Sequence, residues 1–215
     1  MKKLKPPQWT LGDVGSQEGK TFLVTGSNTG IGFATAKLLA AKGANVILAC
    51  RNREKGEKAL ARLRAEVPTT QFSLIQVDLA SLASIHQAAE TITAQYARLD
   101  ALINNAGIMP SGLERTPDGF ESNFGVNALG PFAFTGLLLP LLQRVPDSRV
   151  VWVSSLVHWI GRIDFDNLNA EKRYANWSAY GQSKLADVMF AYEMQRRLAR
   201  SGSTMLSIGV HPGTT

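Results

Sequence analysis

Apolar residues fall in short runs along this chain, separated by longer stretches in which polar and apolar residues mix. Runs at 21–25, 44–49, 71–77, 99–104, 149–154 and 204–210 read as buried strands. Between them, apolar positions recur at helical spacing: Ala36, Leu39 and Ala40 share one face, and Leu60, Leu63 and Val67 another. Gly43 stands where the first of these helices should stop. The alternation predicts an α/β fold, a doubly wound parallel sheet. Right-handed crossovers favour the strand order 3-2-1-4-5-6, with a ligand above the carboxyl ends of the strands. Residues 1–20 read as a polar lead-in anchored by Trp9 and Leu11, and residues 21–215 as a single domain.

Composition narrows the chemistry. With 215 residues, 45% of them apolar, the chain can bury a sizeable core. A lone cysteine, Cys50, excludes an internal disulfide framework, and no Cys and His cluster has metal-ligand spacing, so no metal is expected. Lys2, Lys3 and Lys5 lead into Pro6-Pro7-Gln8 instead of an apolar signal core. The leucine-rich stretch 136–142 is broken by Pro140 and is far shorter than the ~20 residues that span a bilayer. A cytoplasmic protein without a membrane span is the expectation. The net charge of +6 comes from Lys and Arg scattered among Glu and Gln, which reads as a solvated surface and not as a nucleic-acid site.

Residues 21–32, Thr-Phe-Leu-Val-Thr-Gly-Ser-Asn-Thr-Gly-Ile-Gly, place Gly26, Gly30 and Gly32 between a strand and a helix. Such a turn lets the backbone approach a phosphate and points free N–H groups of the helix start at an anion. Where the second strand ends, an NAD-selective site would place an acid; here Cys50 and Arg51 stand, which favours NADP through a guanidinium for its 2′-phosphate, with NAD the alternative. A plain surface arginine is the bland reading of Arg51. Asp78 ends the third strand, where a helix cap is one reading, although Ser81 looks the better cap.

Tyr180 and Lys184 stand four apart in a helical stretch, on one face and about one turn from each other. A neighbouring ammonium favours the phenolate that general base work requires. Ser155 follows the fifth strand, where its hydroxyl can bind a substrate oxygen; Ser154 is the alternative.

The G-x-x-x-G-x-G spacing from Gly26, with Asp78, Asn104 to Gly107, Asn127, Ser155, Tyr180, Lys184 and His211-Pro212-Gly213 in this order, resembles the short-chain dehydrogenase/reductase family, whose fold is Rossmann-like. The resemblance implies a hydride transfer between NADP and a carbonyl or alcohol. In it Tyr180 is the acid/base, Lys184 lowers the tyrosine pKa and binds the nicotinamide ribose, Ser155 orients the substrate oxygen, and Asn127 positions a water. It also implies a cofactor-binding set of Gly26, Ser27, Asn28, Gly30, Ile31, Gly32, Arg51, Asn52, Asp78, Leu79, Asn105, Ala106, Gly107, Tyr180, Lys184, Pro212 and Gly213.

Tyr180 lies 25 positions after Ser155, a longer span than the family's usual one. The inserted text, with Leu156-Val-His158-Trp159-Ile-Gly161, Asp166-Asn-Leu168 and Tyr174, resembles the retinol dehydrogenase and protochlorophyllide-reductase-like branch. That branch implies NADP and a bulky apolar substrate. Arg51-Asn52 and Asn105-Ala-Gly-Ile-Met109 carry the same likeness. His158 and His211 are expected to serve packing and a turn, while Trp159 or Trp177 is a candidate wall of a substrate cleft. The resemblance further implies a family fold whose C-terminal part is absent here, and homodimer faces on helices within 112–145 and 177–202. The rival reading is a nucleotide-binding regulator or scaffold of the same fold, without turnover.

Overall fold

In the computed structural model, which describes residues 10–213, six strands form one parallel sheet in the order β3-β2-β1-β4-β5-β6. The strands are β1 (Thr21–Thr25), β2 (Asn45–Cys50), β3 (Phe72–Gln76), β4 (Ala101–Asn104), β5 (Arg149–Val153) and β6 (Leu206–Val210). The helices are α1 (Gly30–Ala41), α2 (Arg53–Glu66), α3 (Leu82–Gln95), α4 (Ser122–Phe124), α5 (Gly130–Leu142) and α6 (Asn176–Arg200). A π-helical turn, Gly125–Leu129, joins α4 to α5, and a 3₁₀ turn, Leu156–Ile160, follows β5.

Alternation along each central strand decides which layer a side chain enters. Phe22 and Val24 of β1 pack with Ala36 and Ala40 of α1 and Leu63 of α2 on one face. Leu23 of the same strand points the other way, into a cluster with Ile92 of α3, Phe134 and Leu138 of α5 and Leu198 of α6. Both faces are covered, so the strands are apolar throughout, as a parallel sheet requires. The registers Thr25 against Ala49, Val24 against Ile103 and Asn104 against Trp152 bring the strand ends to one edge. β1 and β4 lie side by side in this order although the chain passes through β2 and β3 between them, and there the loops part.

Local chemistry sets the element ends. Gly43, at φ +90°, sends its N–H back to Ala40, and Ala44 sends its own to Leu39, closing α1. Asn52 caps α2 by accepting the Lys55 N–H, and Ser81 caps α3 by accepting that of Ser84.

Three expectations are corrected. Leu11 is 47% exposed in a short 3₁₀ turn and anchors nothing, while Trp9 lies outside the described residues. Pro140 does not end the leucine-rich helix: it is exposed on α5, and so is Gly136, whose carbonyl its missing N–H would have engaged. The continuous segment Ser122–Leu142 is therefore long and apolar enough to cross a membrane by length and composition. In this fold 61% of its most apolar window is buried, with Phe134, Leu138, Leu141 and Leu142 in the core. Finally, 112–121, counted among the dimer helices, is a loop with one bridge between Arg115 and Glu121.

Candidate active site

The turn after β1 is tight because two glycines let backbones touch. Gly26 has φ +65°, and a Cβ there would stand 2.9 Å from the Ala106 Cα. At Gly32, a Cβ would lie 2.5 Å from both the Gly26 carbonyl and the Asn105 amide nitrogen. Thr25 locks this packing from beneath: its hydroxyl accepts the N–H groups of Asn105 and Ala106, each at 3.0 Å. Asn105 in turn donates to the Thr25 carbonyl at 2.8 Å. The end of β4 and the turn after β1 are thus one unit.

Above that unit lies a cavity of about 350 Å³. Gly26, Asn28, Ile31, Gly32, Arg51, Asp78, Leu79, Asn105, Ala106 and Gly107 wall it, together with Thr29, Ala49, Val77, Ile108 and Val126, which the sequence had not marked. The start of α1 opens beside it, and Thr29 caps that start without a side-chain bond, which leaves helix N–H groups for an anion. Arg51 is exposed at the rim. Asp78 accepts the Ala80 N–H on Oδ1, so it shapes its own loop while lining the cavity.

Three residues expected here are not on its wall, the first of them Gly30, which is exposed where α1 begins at φ +56°. Ser27 is fully buried, its Oγ 3.7 Å from the Cys50 Sγ, and burial pushes the Cys50 thiol pKa up. Asn52 uses its side chain as the α2 cap. Neither is among the residues that wall the cavity. Both belong to short polar loops whose side-chain direction the sequence does not specify.

A second cavity, about 580 Å³, continues from the first, and Ile31, Asn105, Gly107 and Ile108 wall both. Tyr180 and Lys184 reach it from α6, Ser155 from the end of β5, and Pro212 and Gly213 from beyond β6. Their convergence follows from topology: β5 delivers Ser155 at its carboxyl end, and α6 runs back beside it, presenting positions four apart on one face. The Tyr180 hydroxyl has no partner among the described residues. Ser155 Oγ accepts the Val157 N–H at 3.3 Å and keeps its own hydrogen free among those residues.

Ser154 is different. Buried, it donates its hydroxyl to the Lys184 carbonyl at 2.7 Å, a structural tie between β5 and α6, so of the two serines that line the cleft Ser155 is the one whose hydroxyl hydrogen is not already used among the described residues.

Asn127 sits in the π-helical turn just behind the wall, 1% exposed. Its Oδ1 accepts the Ile108 N–H at 2.7 Å, and its Nδ2 donates to the Ile108 carbonyl and to Ser183 Oγ. The amide therefore clamps the loop after β4 to α6. A π turn offsets the helix by one residue, a common device for aiming a side chain out of register.

Lys184 Nζ donates to the Val153 carbonyl at 2.9 Å and to Asp187 Oδ2 at 3.0 Å. Asp187 was not singled out in the sequence, where it looks like an ordinary helix carboxylate. Apolar groups complete the cleft: Met109, Leu156, Val157 and Trp177, the last 60% exposed at its mouth. Trp159 is 80% exposed and does not line it; Trp152 is buried and donates to Ser207. His158 Nδ1 donates to the Ser155 carbonyl at 2.6 Å, and His211 Nδ1 accepts the Gly213 N–H, so both serve local turns.

The inserted stretch before α6 is pinned down. Asn169 accepts the Glu121 N–H and donates to the Gly119 carbonyl, Arg115 donates to the Asn169 carbonyl, and Asp164 donates its N–H to Gln182 on α6. Glu121 is 1% exposed and caps α4, accepting the N–H groups of Asn123 and Phe124.

A strand-to-helix turn with open helix N–H groups is joined through one groove to a Ser, Tyr and Lys set. Compared with protein families, residues 20–215 match short chain dehydrogenase. The chain belongs to the short-chain dehydrogenase family. Within it the chain is retinol-dehydrogenase-like. It is 50% identical to human retinol dehydrogenase 13 over 196 residues, which are 91% of this chain and 59% of that protein. Mouse retinol dehydrogenase 12 is 46% identical over 195 residues, 91% of this chain and 61% of the relative. The chain thus spans about three fifths of the length of the curated relatives it matches. Among solved structures, a protein from Mycobacterium paratuberculosis aligns with TM-score 0.86 at 44% identity, covering 96% of this chain and 73% of that one. The Pseudomonas aeruginosa RhlG/NADP active-site complex aligns with TM-score 0.75 at 28% identity, covering 93% and 73%.

Proposed function

We propose that this chain is an NADP-dependent oxidoreductase that transfers a hydride between the nicotinamide and an apolar carbonyl or alcohol substrate. The observation that carries the reading is the continuous groove, with Arg51 at one end and Ser155, Tyr180 and Lys184 at the other. The residues fit a dinucleotide: open N–H groups at the start of α1, close glycine backbone at Gly26 and Gly32, and no acid at the end of β2. A 2′-phosphate suits Arg51, whereas a carboxylate there would repel it.

NADPH, when bound, supplies the hydride. The chain's own groups do the rest. Ser155 donates its free hydroxyl hydrogen to the substrate oxygen, and Tyr180 gives that oxygen its proton as negative charge develops, or takes it in the oxidative direction. Lys184 places a positive charge one helical turn from Tyr180 and would hold a bound nicotinamide ribose through its remaining N–H. Met109, Leu156 and Trp177 give the cleft apolar walls that exclude water and suit a bulky apolar substrate, in keeping with the retinol in the relatives' names.

The test is a fluorescence titration with NADPH and NADH, followed by oxidation of NADPH with a panel of apolar aldehydes and ketones. Tighter NADPH binding with turnover is expected. Binding without turnover overturns the reductase reading in favour of a nucleotide-binding scaffold, and no binding overturns the groove as a dinucleotide site.

A further inference from the structure

An ammonium has three hydrogens to place. That of Lys184 gives one to the Val153 carbonyl and one to Asp187 Oδ2, and keeps the third for the cleft that Lys184 lines. Lys184 and Asp187 stand three apart on α6, with side-chain exposures of 5% and 4%. On a helix surface such a pair contributes little and needs no function. In the interior the balance differs. Desolvating a carboxylate is costly, and a well-packed apolar pair commonly serves stability as well or better. Asp187 makes the cost larger still, because its Oδ1 is buried with no partner among the described residues. A costly anion beside a cation at the floor of a cleft is better accounted for by what it does to the cation.

We propose that Asp187 is a positioning residue: together with the Val153 carbonyl, its buried carboxylate fixes the Lys184 ammonium so that the remaining N–H is presented to the cleft. The proposal rests on the reading of that cleft as the nicotinamide end of a dinucleotide site. Without Asp187, the four-carbon stem of Lys184 would hold its ammonium by one backbone carbonyl alone.

The electrostatics make the grip sensitive to pH. Burial pushes the Asp187 pKa up to about 6, against the opposing pull of Lys184. Since the carboxylate exists above that value and is lost below it, the grip is present at neutral pH and released in mild acid. Other ionisable groups on the elements packed against α6 are His158 in the turn after β5, Glu121 at the cap of α4, Arg149 at the start of β5 and His211 after β6. None of them bonds to Lys184 or Asp187.

The experiment measures NADH and NADPH dissociation constants across pH 5 to 8 for the wild-type chain and Asp187→Asn, with no substrate present. NADH is the deciding ligand, because it lacks the 2′-phosphate that itself titrates in this window. Expected for the wild type is a loss of affinity of about fivefold as pH falls through 6, corresponding to about 1 kcal/mol. Asp187→Asn should be weakened by a similar factor at pH 7.5 and show no such step. Equal affinities and the same step in both chains would overturn the proposal.

Should Asp187→Asn not fold, the Asp187 carboxyl carbon is titrated by NMR in the wild type and in Lys184→Met. Its midpoint should rise when the ammonium is gone, and an unchanged midpoint overturns the pairing. The two readings separate cleanly. A chain that binds NADH with the predicted step but turns over no substrate defeats the reductase reading and supports this one; a chain that turns over with no step does the reverse.

Discussion

Lys184 and Asn127 close on the same bare α-carbon. A Cβ built on Gly107 would stand 3.5 Å from the Lys184 Nζ and 3.4 Å from the Asn127 Oδ1, at the point where the two cavities share a wall. A methyl fits at that distance; a branched side chain would crowd both groups. Gly107→Val should weaken NADPH binding by about tenfold or more, about 1.4 kcal/mol. Because Gly107 is exposed, its Tm should move by less than about 4 °C. Fluorescence titration and a thermal melt on the same sample check both halves.

Tyr180→Phe removes the hydroxyl and keeps the ring. With its partnerless hydroxyl at the cleft and the phosphate end of the groove elsewhere, turnover should fall by about 10²–10⁴, while the NADPH dissociation constant stays within about twofold. Steady-state rates with any substrate found in the panel decide the matter, and an undiminished kcat would remove Tyr180 from the proton transfer.

Arg51→Asp places a carboxylate where the ribose hydroxyls of NADH would meet it and a 2′-phosphate would be repelled. The ratio of NADPH to NADH affinity should drop by about 10–100-fold, the range for losing a charge-assisted hydrogen bond. An unchanged ratio of dissociation constants would show that Arg51 does not select the cofactor.

Gly32→Ala tests the contact between the turn and the Asn105 loop. Its methyl would be driven into the Gly26 carbonyl and the Asn105 amide, neither of which can retreat without opening the Thr25 locks. A loss of about 1–3 kcal/mol is expected, read as a lower urea midpoint at unchanged m.

Thr25→Val keeps the shape of the side chain and deletes the acceptor for two backbone N–H groups. Those of Asn105 and Ala106 are left in a part-buried loop, at a cost of about 1–3 kcal/mol for an unmade bond. Urea denaturation measures the loss, and a stability equal to wild type would show that water replaces the hydroxyl.

The strands were legible because each is a short apolar run with helical text on either side, and the order 3-2-1-4-5-6 followed from handedness alone. Boundaries moved by a residue or two, as at Val67, which caps α2 instead of extending it. The groove was legible through Gly26, Gly32, Ser155, Tyr180 and Lys184, residues whose spacing is itself the signal. Ser27, Gly30 and Asn52 are not on its wall, because neighbouring residues in a turn differ only in the direction they point, and tertiary contacts decide that. Asp187 carried no signal, since a carboxylate three residues after a lysine is ordinary on an exposed helix and only its burial beneath the cleft sets it apart. Pro140 misled for a related reason: a sequence shows the missing N–H but not that Pro140 and Gly136 are both exposed on the helix.

The stretch between the turn after β5 and α6 has no regular element, yet Asn169 holds Gly119 and Glu121 at once, and Asp164 holds Gln182. It works as a strut. One of its feet stands on the loop that caps α4 and leads into the π turn carrying Asn127, the other on the helix carrying Tyr180 and Lys184. The two walls of the cleft are thus tied together by a handful of loop hydrogen bonds, none of them on Ser155, Tyr180 or Lys184.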